Sequence, residues 1–201
     1  MKGLRERALY DNTVIVVLAD HGEELFDHGG LEHSQTSYEE VMRIPLVVRV
    51  PHTAHGNVLH EQVSMVDVLP TLLESLGLPP LSRVQGRSLL PLFEGGHLPD
   101  STVFGDASIV SGPRAVRRPN WKYINTPGAG GEELYDLAAD PHERTNLCPR
   151  ERERCEPFLD ALMRWEDAQQ RKVAELGLLR VATAAVDENV RERLRQSGYA
   201  H

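Results

Sequence analysis

Long apolar runs are missing from this sequence. No stretch reaches the roughly 18 to 20 residues that a membrane span needs, and the N-terminus, MKGLRERALYDN, lacks the apolar middle section of a signal peptide. A soluble chain is expected. A surplus of positive charge is also missing: 22 Lys and Arg stand against 30 Asp and Glu, a net charge of -8, with the two signs interleaved. Such a surface is not built to neutralise a phosphate backbone, which argues against nucleic acid as a partner. Internal repeats and low-complexity tracts are absent. Cysteine is scarce, with Cys148 and Cys155 in a charged segment. Six residues between them would allow a small disulfide in an oxidising compartment, but two free surface thiols are the expectation. They do not fix the compartment, and localisation stays undetermined.

What is present is ordinary globular composition, 40% hydrophobic and 26% charged in 201 residues, enough for one good core or one and a half domains. Leu4, Ala8 and Tyr10 share one side of a short amphipathic helix over residues 2 to 10. Thr13 to Ala19, TVIVVLA, is apolar on both faces, the pattern of a strand buried between helix layers in a parallel sheet. Residues Ser37 to Met42 read as helical, and Pro45 to Val50 as a second strand. A helix follows in SMVDVLPTLLESLGLPP. Ser64 or Asp67 caps it, Val66, Leu69, Leu72, Leu73 and Leu76 form its inner face, and Gly77 with Pro79-Pro80 stops it.

Beyond Gly95-Gly96 the texture changes to TVFGDA, RAVRR, NWKYINT and ELYDL, four short runs expected to form an antiparallel meander. A helix from about Pro157 to Leu179, with Phe158, Leu162 and Trp165 on one face, and another after Asp187 close the chain. The expected organisation is an α/β portion over 1–100, an antiparallel-sheet subdomain with a packed helix over 101–180, and a helical tail over 181–201. The first strand has one obvious companion and no preceding βα units, so the chain reads as beginning inside a fold.

The chemistry gathers after that strand. In open α/β sheets ligands sit outside the carboxyl ends of the strands, and Asp20 and His21 occupy that place. One hard oxygen beside one imidazole makes half of a divalent metal site; the bland alternative has Asp20 capping the next segment and His21 hydrogen-bonded in the interior. Gly22 permits a sharp turn of the backbone. Glu23, Glu24, Asp27, His28, Glu32 and His33 supply further ligand or acid-base candidates. By default, His52, His55 and His60 are solvated, with a second metal site as the remote alternative; Trp121, Tyr123 and Tyr135 are core or strand-pairing residues; Arg43 is structural; and Arg114 and Lys122 could border the substrate cleft but are not assigned to it.

Taken together, LYDNTVIVVLADHGEEL, YEEVMRIPLVVRVP, VSMVDVLPTLLESLGLPP, QGRSLLPLFEGG and RAVRRPNWKYINTPGAGGEELYDLAADPHERTNL resemble, in one consistent order, the C-terminal portion of the sulfatase family within the alkaline phosphatase superfamily. The final VDENVRERLRQSGY resembles a tail of some bacterial members. The resemblance implies a mixed, mostly parallel α/β sheet plus a small domain of a four-stranded antiparallel sheet and a packed helix. It implies Asp20 and His21 as ligands of a divalent metal, normally Ca2+, with Mn2+, Mg2+ or Zn2+ open because imidazole suits transition metals. His33 falls near the family's basic residue on the sulfate oxygens, commonly a Lys at the spacing Ser34 holds here, and is a candidate for sulfate binding or acid-base work. Substrates would be sulfate esters of small molecules or sulfated glycans.

The family's nucleophile is a formylglycine made from the Cys of Cys-x-Pro-x-Arg, and that motif is absent. Cys148 is followed at once by Pro149, and Cys155-Glu156-Pro157 meets Leu159 where Arg is required. No nucleophile is assigned, so little or no turnover, and poor folding, are expected of these residues alone. Two other readings stand beside the sulfatase one: a phosphohydrolase or phospho-transferase of the same superfamily, and a non-catalytic sugar- or partner-binding remnant.

Overall fold

β-Branched residues dominate Ile15–Leu18 and Leu46–Arg49, and these segments pair as strands because a pleated surface accommodates branched side chains well. The computed structural model describes residues 1–33, 35–53, 56–107, 112–128 and 131–177. In chain order its elements are α1 (Lys2–Glu6), β1 (Ile15–Leu18), β2 (Glu24–Leu25), β3 (Leu31–Glu32), α2 (Glu39–Met42), β4 (Leu46–Arg49), α3 (Val68–Ser75), α4 (Leu90–Phe93), β5 (Val103–Asp106), β6 (Arg114–Arg118), β7 (Trp121–Thr126), β8 (Gly131–Asp136) and α5 (Arg152–Glu175). The helix expected after Asp187 and the tail from 181 lie outside the described residues.

The chain divides into two compact units, each discontinuous in sequence. The first joins Met1–Asp20 to Ile44–Val103; the second joins His21–Arg43 to the residues from Phe104 onward.

In the first unit β1 and β4 pair antiparallel, with Val16 opposite Val48 and Val17 opposite Val47. This corrects the expectation of a parallel, doubly buried first strand. Val14, Val16, Val48 and Val50 line one small cavity together with Val68, Thr71, Leu72 and Ser75 of α3 and with Leu89. On the other sheet face Val17 and Val47 are 53% and 62% exposed.

The inner face of α3 also differs from the one expected. Leu72 points inward, but Val66, Leu69 and Leu76 are exposed and Thr71 is buried. The helix is apolar nearly all round, so hydrophobic spacing alone fitted two faces. Hydrogen bonding decides between them, because the Thr71 hydroxyl donates to the Asp67 carbonyl (2.6 Å) and accepts from the Leu89 N–H (2.9 Å), which makes its burial tolerable. Asp67 itself is buried within a capping box. Its backbone N–H meets the Ser64 side chain, while its carboxylate accepts the N–H groups of Ser64 (2.8 Å) and Arg87 (2.9 Å). Gly77, at φ +65°, ends the helix, as its missing Cβ permits.

The second unit is built on an antiparallel sheet in the order β5-β6-β7-β8, the expected meander. Side chains alternate across it. Val116, Tyr123 and Leu134 face α5, where they pack with Cys148, Cys155, Phe158 and Leu162. Ala115, Ile124 and Tyr135 face the opposite way, onto Tyr38 and Met42 of the α2 segment. Helix α5 begins at Arg152, earlier than expected, with Pro157 inside it.

Cys148 and Cys155 form a disulfide, and both are buried. The expectation of free surface thiols is thereby corrected. The charged neighbours that suggested exposure point outward from the first turns of α5, while the spacing of Cys155, Phe158 and Leu162 turns those three inward.

Candidate metal centre

The segment His21–Arg43 is a loop with little regular structure, so its shape is set by polar contacts. Gly22 donates its N–H to the Val41 carbonyl (2.8 Å) and Glu23 to the Glu40 carbonyl (3.1 Å), which lays the start of the loop along α2. A Cβ on Gly22 would sit 1.9 Å from the Glu40 carbonyl oxygen. Glycine is needed there for close backbone approach, not for the sharp turn read from the sequence.

Glu24 is buried and accepts the Gly30 N–H and the Thr36 hydroxyl, both at 2.8 Å. It braces the β2–β3 hairpin. Asp27 accepts the Leu25 N–H across the same hairpin at 3.4 Å.

Three of the expected candidates converge. One ligand atom each of His21, Glu23 and His33 lie within 4.8 Å of one another. The imidazoles of His21 and His33 stack with centroids 4.0 Å apart, and His33 Nδ1 is 3.4 Å from both carboxylate oxygens of Glu23. His21 Nδ1 lies 2.8 Å from the Gly22 carbonyl. That contact assigns the proton to Nδ1 and the lone pair to Nε2, the form in which a histidine ligates. Among the described residues this is the one group of three or more His, Cys, Asp or Glu side chains with such spacing.

Asp20 is exposed and closes the first unit, whereas the group is made of second-unit residues. Glu24, Asp27 and His28 are not in it. Ser34 and the Glu32 side chain lie outside the described residues, as does His55. His52 and His60 are exposed, in keeping with their bland reading.

Sequence reasoning missed a charged network beside the loop. Lys122, expected to have no special part, is fully buried, with its Nζ 2.9 Å from Glu143 Oε1 and 3.3 Å from Glu39 Oε1. Arg117 Nε adds a second cation 3.2 Å from Glu39, and the Glu39 N–H donates to Glu143 Oε2 (2.6 Å). Burial would raise the Glu39 carboxyl, but the Lys122 and Arg117 charges outweigh it and hold the group below its ordinary value. The Tyr38 hydroxyl donates to Glu133 (2.9 Å), which also takes a hydrogen bond from Tyr135. Burial and the Glu133 carboxylate push both phenols above their ordinary value. The sequence carried one signal for this: Lys122 sits two residues before Ile124 in β7 and so shares its covered face.

The sequence profile of the Sulfatase family matches residues 1–78, and the later segments align with sulfatases as well. Residues 1–78 carry a Sulfatase family domain, and sulfatases stand among the relatives and structural neighbours of the chain. It is similar to arylsulfatase K of Homo sapiens, 29% identical over 157 residues, covering 72% of this chain and 29% of that protein. A solved structure described as a complex with its substrate D-glucosamine-2-N,6-O-disulfate superposes with a TM-score of 0.68 at 27% identity, covering 83% of this chain and 36% of that one. The phosphonate monoester hydrolase of Agrobacterium radiobacter superposes with a TM-score of 0.67 at 26% identity, covering 83% and 37%.

The chain therefore spans about a third of the length of these sulfatase-family relatives and corresponds to their C-terminal portion. Its fold is the mixed α/β, alkaline-phosphatase-like one with a small antiparallel sheet. The family uses a divalent metal. Two imidazoles and a carboxylate are a donor set able to hold one. Among the described residues no helix is long and apolar enough to cross a membrane.

Proposed function

We propose that this chain supplies the metal-holding and sulfate-facing side of a metal-dependent sulfuric ester hydrolase. The observation that carries the reading is the convergence of His21, Glu23 and His33 directly after β1 in a chain that carries a Sulfatase family domain. Asp20 and His21 are the metal ligands by resemblance, and Glu23 joins them by its proximity to His21. His33, stacked on His21, faces the sulfate oxygens or serves the leaving group as acid or base.

Donor chemistry bounds the metal identity. Ca2+ favours six to eight oxygens, and the one imidazole of His21 beside the carboxylates of Asp20 and Glu23 leaves Mn2+, Mg2+ or Zn2+ open beside the family's customary calcium. When bound, the cation neutralises charge on the ester's oxygens. The substrate class is a sulfate ester, with a sulfated glycan favoured by the sulfated glucosamine named for one structural neighbour. No nucleophile is assigned among these residues: both cysteines are tied in the Cys148–Cys155 disulfide, and neither heads a Cys-x-Pro-x-Arg sequence. Turnover by residues 1–201 alone is therefore little or none.

Isothermal titration of the chain with Mn2+, Zn2+ and Ca2+, followed by glucosamine-6-sulfate in the presence of the tightest ion or of EDTA, tests this. The expected result is metal binding that His21→Ala weakens at least tenfold, and ligand binding that needs the metal. Metal binding indifferent to His21→Ala, or glycan binding that survives EDTA, overturns the reading, the latter in favour of a non-catalytic binding module. The likeness to a phosphonate monoester hydrolase supports a second reading, hydrolysis of a phosphorus ester. Preference for a phosphonate monoester over the sulfate in the same titration would select it.

A further inference from the structure

One histidine of the loop takes no part in the metal group and yet has both ring nitrogens committed. His28 Nδ1 lies 2.5 Å from Glu40 Oε1, and its Nε2 lies 3.1 Å and 3.2 Å from the carbonyl oxygens of His142 and Glu143. The side chain is 14% exposed, and its ring stacks on Tyr38 at 3.7 Å between centroids. All three facing atoms are acceptors. A neutral imidazole has one N–H and must turn a lone pair toward one of them; the imidazolium donates on both sides.

The charged groups around His28 agree with this. Glu40 faces it from α2 and Glu143 from the segment after β8, while Lys122 lies beyond Glu143 and is engaged by that carboxylate and by Glu39. The stacked Tyr38 phenol is neutral, its own proton held by Glu133. Burial disfavours the charge on His28, but the hydrogen bond and field of Glu40, aided by Glu143, outweigh it, so the ring titrates above the ordinary histidine value.

Glu40 links this histidine to the metal group. Its carboxylate receives His28, and its carbonyl receives the Glu23 N–H, while the next carbonyl, of Val41, receives the Gly22 N–H. The backbone bearing His21 and Glu23 thus rests on the residue that His28 holds. We propose that His28, as an imidazolium shared between Glu40 and the carbonyls of His142 and Glu143, is the positioning residue that keeps His21, Glu23 and His33 in a geometry fit for a divalent cation. The proposal rests on the metal reading of that group. Cation affinity then depends on a charge the cation never touches.

Two measurements on the full chain test it. Long-range nitrogen–proton NMR of the wild type across pH 5 to 9 reads the His28 ring directly. Both nitrogens protonated at pH 7 is expected; a neutral tautomer there overturns the proposal without any variant. Mn2+ titration of wild type, His28→Gln and Glu40→Gln, with circular dichroism as the fold control, reads the positioning. The expected result is an affinity at least tenfold weaker in both folded variants. The wild type also loses affinity as pH rises through the His28 midpoint, a limb absent from the variants. Wild-type binding that both variants retain sinks this proposal alone. A wild type that binds no Mn2+ sinks the metal reading and the proposal with it.

Discussion

Lys122 is a cation with no access to water, wedged between the carboxylates of Glu143 and Glu39. Replacing it by methionine keeps the volume and strands the Glu143 charge, whereas Glu39 keeps Arg117. Breaking a buried pair from one side costs about 3–5 kcal/mol, and urea denaturation of Lys122→Met should show a loss of that order. Adding Glu143→Gln should recover much of it; no recovery would mean the lysine acts through packing rather than charge.

The same neighbourhood sets a pH window, because two groups are shifted in opposite senses. Glu39 is held below its ordinary value, so its contribution to stability is present above the unfolded glutamate value and is lost as pH falls through the lower folded one. His28 is raised, so its contribution is present below the unfolded histidine value and is lost as pH rises through the higher folded one. Stability by urea titration across pH 3 to 9 should show both limbs. Glu39→Gln should flatten the acid limb and His28→Gln the alkaline one. Little of this was legible residue by residue: the register of Lys122 with Ile124 was the one signal for its burial, His28 stood as one ligand or acid-base candidate among several, and their partners lie far along the chain.

Element by element, local chemistry was legible where it was self-contained. Ser64 and Asp67 announce a helix start, and they form a capping box on the 3-10 turn Met65–Asp67 that leads into α3. Since the Asp67 carboxylate also takes the Arg87 N–H from inside the protein, Asp67→Ala removes a cap and strands buried donors. A loss of about 1–2 kcal/mol is expected in thermal or urea unfolding; a loss within error would mean water replaces the carboxylate there. Faces were less legible than boundaries, since α3 offers apolar side chains in nearly every direction and Thr71, the buried choice, is polar. The four strands of the meander could be read because alternation and turn residues are written in consecutive positions. The disulfide could not be, because its burial follows from the phase of α5 rather than from the charged residues around the cysteines.

At the scale of the whole molecule, the family was legible because several ordered blocks agree, and the candidate site was legible in its residues but not in its grouping. Glu23 entered as one acid among several, and its meeting with His21 and His33 depends on contacts between the loop and α2. The apolar first strand was read as buried on both faces, whereas among the described residues α3 lies toward one face and the other is exposed. Val17 and Val47 stand opposite one another and exposed, an apolar area of the kind that binds hydrophobic dyes or other chains. Val47→Lys should lower anilinonaphthalene sulfonate fluorescence and raise solubility while leaving the melting temperature nearly unchanged. A drop of many degrees would mean that the position is covered in solution.

The discontinuity of the second unit carries a consequence for synthesis. His28 and the Glu143 carbonyl are 115 positions apart. At about 5–20 residues per second on the ribosome, the loop waits roughly 6 to 23 s for its partner to be made. During that wait the segment holding Leu25, Phe26 and Leu31, half or more exposed even in the finished fold, is open to nascent-chain chaperones and proteases. Codon choice between positions 43 and 143 then bears on the yield of folded protein, although the site residues His21 and His33 are translated long before it.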